Sequence, residues 1–181
     1  MSCSPRITSM SPFNISVLDN PRIGTWSKKL TPVSKDFIAQ TGDPTASGTG
    51  GESLDSYLAS IANASSKPPR YFAPEITNKL KHVSKGTVSM AVSPTDPPGC
   101  GSQFFITLAD RIEYLDGKHA VFGHVIEGLD TLDKINDAYL DKDGRPLQDI
   151  RIRHVEILGT YKSKQSSSCS QQRIHFLIHP I

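Results

Sequence analysis

The chain has 181 residues, of which 36% are hydrophobic and 21% are charged, and its net charge is +2. This length suits one domain with a hydrophobic core, and the apolar content excludes a chain that is disordered throughout. Residues 1–36 and 159–181 each carry a charge of +3, whereas residues 37–158 carry −4. So few basic residues at the ends favour solvation over a dedicated nucleic-acid surface.

Cysteine usage and hydropathy predict an intracellular protein. Cys3, Cys100 and Cys169 form no CxxC pair and leave one cysteine over, which argues for a reducing compartment. The first residues contain no continuous apolar signal region, and no stretch approaches the ~20 apolar residues of a membrane span. His175 and His179 lie four residues apart, but two histidines without further ligands do not define a metal site.

In chain order, residues 1–35 mix serine, proline and scattered apolar residues without a sustained period, so we expect loop or weakly ordered chain. Several later runs are rich in valine, isoleucine, phenylalanine and threonine, and turn sequences separate them. These runs predict the strands of an antiparallel barrel or sandwich. They cover residues 37–41, 87–92, 103–108, 120–126 and 150–158.

One helix is predicted from Leu129 to Leu140. Leu129, Leu132, Ile135 and Tyr139 recur at steps of three and four residues and form one apolar stripe. We expect this helix to cover the sheet from one side.

Three other segments have weaker patterns. Residues 74–81 are compatible with a short helical turn, which the prolines at 68, 69 and 74 prevent from extending upstream. Residues 54–69 are rich in serine and alanine and are interpreted as a long loop. Residues 174–178 form an apolar run in a low-complexity tail and indicate a strand without an identifiable partner.

Three local patterns resemble binding or reactive motifs. Residues 42–51 are dense in glycine but match no nucleotide-binding consensus, and a phosphate cradle needs a helix directly after the loop. Residues 141–152 resemble a calcium loop, but Ile152 stands where glutamate is required. Both segments are therefore interpreted as turns. Cys100, between two glycines, is interpreted as an exposed loop cysteine in preference to a reactive thiol.

Five sequence blocks in a fixed order are similar to the core of the cyclophilin family of peptidyl-prolyl isomerases. The blocks are FIAQTGDPT at 37–45, GTGGES at 48–53, GTVSMA at 86–91, GSQFFIT at 101–107 and YLDGKHAVFG at 114–123. Residues 135–154 resemble in particular the nuclear cyclophilins that carry an RNA-recognition motif behind the isomerase domain.

The resemblance implies a mainly β fold, a closed eight-stranded antiparallel barrel capped by helices, with a substrate groove on its outer face. The opening strands of that barrel are not recognisable in residues 1–29, so we expect a barrel that is incomplete at its first strands. The predicted organisation is a divergent segment at 1–36, an isomerase domain at 37–158 and a low-complexity tail at 159–181.

The resemblance also implies cis–trans isomerisation of X-Pro bonds in proteins, without a cofactor. A proline ring needs an apolar slot, and glutamine side chains can hold the peptide backbone by hydrogen bonds. By position, the implied substrate-binding residues are Phe37, Ile38, Gln40, Ala91, Gln103, Phe105, Tyr114, Leu115 and His119.

One departure from the family concerns catalysis. The family uses an arginine that donates a hydrogen bond toward the prolyl nitrogen, and counting back from Gln40 places that position at Pro32. Proline has no side-chain donor, and loss of one preorganised donor costs on the order of 10²–10³ in rate. The catalytic residue is therefore unassigned, and weak isomerase activity is expected.

Two alternatives remain beside a weak isomerase. One is a non-catalytic module that binds proline peptides in a nuclear RNA-processing assembly, and the other is a truncated product that does not unfold cooperatively. The expected partners are proline-containing segments and spliceosomal or other nuclear proteins, with no membrane partner. A nuclear location is favoured over a cytoplasmic one. Residues after Gly159 lack the aromatic strings of an RNA-recognition motif, so we expect no direct RNA binding by this chain.

Overall fold

Five short strands form the main sheet of the computed structural model, which describes residues 30, 32–95 and 97–152 with their side chains. The sheet is antiparallel and its strand order is β1-β2-β4-β3-β5. The strands are β1 (Val33–Ser34), β2 (Ile38–Thr41), β3 (Thr87–Ser93), β4 (Gly99–Thr107) and β5 (Val121–His124).

The mainly β fold is confirmed. Four of the predicted runs overlap β2, β3, β4 and β5, although β4 begins four residues before its predicted run, and the short strand β1 lies in a segment predicted to be loop. Within the described residues the sheet is open, with β1 and β5 at its edges, as expected of a barrel that is incomplete at its first strands. No helix in the described ranges is both long and apolar enough to span a membrane.

Four further strands are described by their backbone alone. β6 (His154–Glu156) pairs with β9 (His175–Leu177), and β7 (Thr160–Tyr161) pairs with β8 (Gln171–Gln172). The apolar run near residue 176 therefore contains a strand, and its partner lies inside the predicted strand at 150–158. Cys3, Cys169 and His179 lie outside the described residues, as does the rest of 1–29.

The interpretation of residues 54–69 as loop is wrong for its first half, which forms helix α1 (Leu54–Ile61). The Ser53 hydroxyl accepts a hydrogen bond from the Ser56 backbone N–H at 3.2 Å and so caps the helix. Ser56 is the buried position of α1, whereas Leu58 and Ile61 are exposed. Leu54, Tyr57, Leu58 and Ile61 do recur at helical spacing, but the side chain that the helix buries most is a serine.

Helix α2 (Leu129–Asn136) is confirmed but ends four residues earlier than predicted. Leu132 and Ile135 are buried, whereas Tyr139 is 85% exposed, so its place on the apolar stripe is wrong. The chain leaves the helix there because it turns into a hairpin, in which Leu140 pairs with Pro146. Residues 74–81 form only a turn near Thr77, and the expected helical turn is absent from them.

The main core lies between the sheet and α2. It contains Leu132 and Ile135 of α2 and three residues of β4, Cys100, Phe104 and Ile106. The interpretation of Cys100 as an exposed loop cysteine is wrong, because its side chain is fully buried in β4. Burial raises the pKa of the Cys100 thiol to about 11, so the reactive thiolate is disfavoured.

Candidate functional site

A second apolar cluster lies on the opposite face of β4. Its centre is Phe105, which is 1% exposed, and the buried residues Ile112 and Leu115 pack against it. Side chains alternate between the two faces of a strand, so Phe105 points away from the core that holds Phe104. The partly buried residues of this cluster are Phe37, Ile38, Ala91 and Ala109.

Aromatic contacts extend this cluster to the surface. The Phe37 ring lies 5.3 Å from the ring of Tyr114, which is 59% exposed. The His119 ring meets the edge of Phe105 at 5.1 Å with an interplanar angle of 83°. We call this group of apolar and aromatic residues the slot, with Phe105 buried at its base and Tyr114 and His119 toward the surface.

Two glutamines line the slot on one side. Gln40 of β2 pairs with Phe105 of β4, which places it beside the floor of the slot. The Gln40 Nε2 donates a hydrogen bond of 2.7 Å to Gln103 Oε1. The Gln103 Nε2 in turn donates to the carbonyl oxygens of Gly48 at 3.1 Å and Gly50 at 2.8 Å.

His119 is held as a neutral side chain. Its Nδ1 lies 3.0 Å from the Met90 carbonyl oxygen, which can only accept, so Nδ1 carries the proton. Burial lowers the pKa of His119, the Met90 hydrogen bond opposes this effect, and the nearby charges of His82 and Lys118 lower the pKa further. The Nε2 of His119 is then an unprotonated acceptor.

All nine substrate-binding residues predicted from the resemblance therefore lie around Phe105. Seven of them, Phe105 included, are in the cluster or ring contacts just described, and the two glutamines are placed there by strand pairing and hydrogen bonds. Their roles toward a substrate stay a prediction. Pro32 lies next to them, because the Gln40 N–H donates to the Pro32 carbonyl oxygen at 3.0 Å.

Sequence reasoning missed His82, which supports the slot from behind. Its ring stacks on Phe105 at 6.1 Å with an interplanar angle of 19°. Its Nδ1 lies 2.8 Å from the Asp116 carboxylate, and its Nε2 lies 2.8 Å from the Ser89 hydroxyl. Because the Asp116 carboxylate also accepts the His82 backbone N–H, these hydrogen bonds lower the pKa of Asp116.

The Asp116, His82 and Ser89 side chains have the connectivity of a hydrolase triad, but Ser89 is fully buried in β3. A nucleophile must reach its substrate, so this arrangement is a support for the slot. No local sequence motif predicts this arrangement, because His82 and Asp116 are 34 positions apart in the sequence. In the described part of the chain, no group of three His, Cys, Asp or Glu side chains is arranged to hold a metal ion.

Comparison with known proteins agrees with this geometry. The family described as cyclophilin type peptidyl-prolyl cis-trans isomerase/CLD matches residues 27–157. The chain belongs to this family.

The relatives it resembles are named peptidyl-prolyl cis-trans isomerase-like 4. The Cryptococcus neoformans protein is 78% identical over 126 residues, which are 70% of this chain and 25% of that one. The Homo sapiens protein is 48% identical over 126 residues, 70% of this chain and 24% of that one. The chain thus spans about a quarter of the length of the curated relatives it matches.

Solved structures agree as well. The crystal structure of a cyclophilin type peptidyl-prolyl cis-trans isomerase from Cryptosporidium parvum superposes with a TM-score of 0.61 and 34% identity, covering 76% of each chain. A second structure of that protein was determined in the presence of the dipeptide Ala-Pro, and its TM-score is 0.60.

Proposed function

We propose that this chain binds X-Pro segments of proteins in the slot around Phe105 and isomerises them slowly. The observation that carries the proposal is the convergence of all nine predicted residues on one face of the sheet. The aromatic floor suits a proline ring, and the two glutamines suit the polar backbone on either side of it. No cofactor is needed for this reaction.

The rate is set by how well the slot favours a twisted amide. Resonance in the X-Pro amide gives a barrier of ~18–20 kcal/mol, and a site complementary to the twisted form lowers it. The family's arginine would lower it further by a hydrogen bond to the prolyl nitrogen. Pro32 has no such donor, so we expect turnover weaker by on the order of 10²–10³ than with an arginine there.

The test is cis-to-trans conversion of a proline tetrapeptide with purified protein. We expect a rate slightly above the uncatalysed background, and a large increase in kcat/KM with Pro32→Arg. Pro32→Ala is the matched control, because like Pro32→Arg it removes the ring and restores the backbone N–H, but it adds no side-chain donor. A rate equal to background in all three proteins would overturn the proposal of catalysis.

Pro32 also supports a second candidate, a non-catalytic module that binds proline peptides in a nuclear RNA-processing assembly. The resemblance of residues 135–154 to nuclear cyclophilins favours the nuclear setting, with spliceosomal or other nuclear proteins as partners.

An NMR titration with a proline tetrapeptide separates the two candidates. Shifts of the Gln40 and Phe105 backbone signals without exchange between the cis and trans peptide signals would favour the binding module. Binding accompanied by that exchange would favour the isomerase. Absence of peptide binding would overturn both.

A further inference from the structure

The glycine-rich loop beside the groove wraps around a buried carboxylate. Asp43 is 1% exposed, and its oxygens accept hydrogen bonds from the backbone N–H groups of Thr45 at 2.7 Å, Gly48 at 2.6 Å and Gly50 at 3.1 Å. The Thr45 hydroxyl adds another at 2.7 Å. A Cβ at Gly50 would lie 2.1 Å from Asp43 Oδ1, so only glycine allows this approach.

These contacts favour the charged carboxylate. Burial by itself raises the pKa of Asp43, but the hydrogen bonds from Thr45, Gly50 and Gly48 outweigh burial and hold the pKa below its ordinary value. The helix that a phosphate cradle requires does follow the loop, as α1, contrary to our reason for excluding a cradle. The loop N–H groups are nevertheless occupied by Asp43, and the interpretation of residues 42–51 as turns holds.

The same two glycines connect Asp43 to the groove. While the N–H groups of Gly48 and Gly50 point to Asp43, their carbonyl oxygens accept from Gln103 Nε2. Carbonyl oxygens only accept, so the Gln103 atom that faces them must be its NH2 group. Gln103 Oε1 therefore faces Gln40, and Gln40 must turn its own NH2 toward Gln103.

This sequence of contacts leaves Gln40 Oε1 as a hydrogen-bond acceptor at the groove. Within the described residues, no donor contacts Gln40 Oε1. Pro32, which lies opposite Gln40 in the neighbouring segment, has no side-chain donor to supply. A bound peptide can fill this place with a backbone N–H.

We propose that Asp43 is a positioning residue which, through Gly48, Gly50 and Gln103, orients Gln40 to accept a backbone N–H of the bound peptide. The inference rests on the proposed function, because it assumes that the slot around Phe105 holds an X-Pro segment. It adds which partner donates: Gln40 accepts and the peptide donates. The slot therefore selects peptides in which a residue next to the proline carries a backbone N–H, since proline itself has none.

The experiment compares a proline tetrapeptide with two analogues in which an ester replaces the amide before or after the X-Pro unit. Each ester removes one N–H donor. With the unmodified chain we expect one analogue to bind on the order of three- to tenfold more weakly, the range of a single neutral hydrogen bond. Gln40→Leu removes the acceptor and should abolish this difference.

Asp43→Asn tests the positioning role. It should also abolish the ester difference and shift the side-chain amide signals of Gln40 and Gln103 in NMR spectra. Asp137→Asn is the matched control, because it makes the same change in charge at an exposed position after α2 and should change neither. If Asp43→Asn does not fold, Gln103→Leu takes its place, since it removes the group that orients Gln40.

The outcomes separate the inference from the function on which it rests. Equal affinity for the parent peptide and both esters would overturn the inference and leave peptide binding intact. A difference that persists in Gln40→Leu, or in folded Asp43→Asn or Gln103→Leu, would overturn it as well. If the unmodified chain binds no peptide, the proposed function fails and the inference fails with it.

Discussion

The two faces of β4 carry adjacent phenylalanines with the same burial and different surroundings. Phe104 and Phe105 are 2% and 1% exposed. Phe104 packs in the main core and meets the Phe122 ring at 6.3 Å, whereas Phe105 packs with the residues of the slot. Burial alone thus does not distinguish a residue of the core from a residue of the slot. The side chains that pack around each phenylalanine make that distinction.

The rest of the strand shows the same division. Toward the core β4 presents Cys100 and Ile106, which are apolar and buried. Toward the groove it presents Gln103 and two glycines, Gly99 and Gly101, which lie against the Tyr71 side chain. On the core face, bulky apolar side chains fill the space between the sheet and α2. On the other face, glycines leave room for the Tyr71 side chain to lie on the strand.

The largest effect is expected for Phe104→Ala on the core face. Truncation of a buried phenylalanine leaves a cavity and should lower the free energy of unfolding by about 3–5 kcal/mol. Urea unfolding followed by circular dichroism measures this loss. Peptide affinity of the folded protein should stay unchanged, whereas Phe105→Ala should lose both stability and affinity. Equal losses of affinity in the two variants would contradict the division between the faces.

A second, smaller effect is expected for Gly99→Ala on the groove face. A Cβ there would lie 2.5 Å from the Cβ of Tyr71, so one of the two segments must move. We expect a loss of about 1–3 kcal/mol in the free energy of unfolding, as for other overpacked sites. Thermal melts would measure it.

Gly123→Ala in β5 is the control, because its Cβ would meet Val88 at an ordinary 3.7 Å. The double variant with Tyr71→Gly, which removes the Cβ that the new side chain meets, should recover part of the loss. A cost for Gly123→Ala as large as that for Gly99→Ala would show that crowding by Tyr71 is not the cause.

A third prediction concerns the hydrogen bonds between the turn before β2 and helix α2. The turn before β2 is joined to the end of α2 by two hydrogen bonds, Asp36 N–H to Asn136 Oδ1 at 2.7 Å and Asn136 Nδ2 to Asp36 Oδ1 at 2.8 Å. Asn136→Ala should cost about 1 kcal/mol in chemical denaturation. Lys134→Ala, exposed on the same helix, should cost less. An equal loss of unfolding free energy in both variants would show that the Asp36–Asn136 hydrogen bonds do not contribute specifically.

The smallest effect is expected in the pH dependence of stability. The pKa of His119 is lowered in the folded state, mainly by burial, while the unfolded chain titrates near the ordinary value of about 6.5. As the pH falls through that value, the unfolded state binds more protons, so stability falls until the folded-state pKa is passed. His119→Gln should flatten the melting temperature between about pH 7 and pH 5.

His124→Gln, at the exposed end of β5, serves as the control. The same slope in His119→Gln and in the unmodified protein would contradict a lowered pKa for the half-buried His119.

Part of the fold and much of the candidate site were predictable from the sequence. The predicted runs that overlap β2 to β5 are rich in residues with strong β propensity. The sequence blocks that contain Gln40, Gln103 and Phe105 indicated the family. α1 was missed because the serine- and alanine-rich composition of its segment was interpreted as loop, although Ser53 is a favourable N-cap residue and Leu54, Tyr57, Leu58 and Ile61 have helical spacing. Cys100 was misplaced because flanking glycines are typical of loops, whereas here they make room for Tyr71 beside a strand.

By itself, then, the sequence determined the family and four of the five strands of the central sheet, and the resemblance to the family implied the nine residues that meet around Phe105. The strands follow from local propensity, and the family follows from the order of the blocks along the chain. Only the tertiary structure showed that His82 stands behind Phe105, and that Asp43 sets the direction of the Gln103 and Gln40 amides. These contacts join residues up to 63 positions apart in the sequence. Which end of each glutamine amide donates depends on the acceptors that the fold brings next to it.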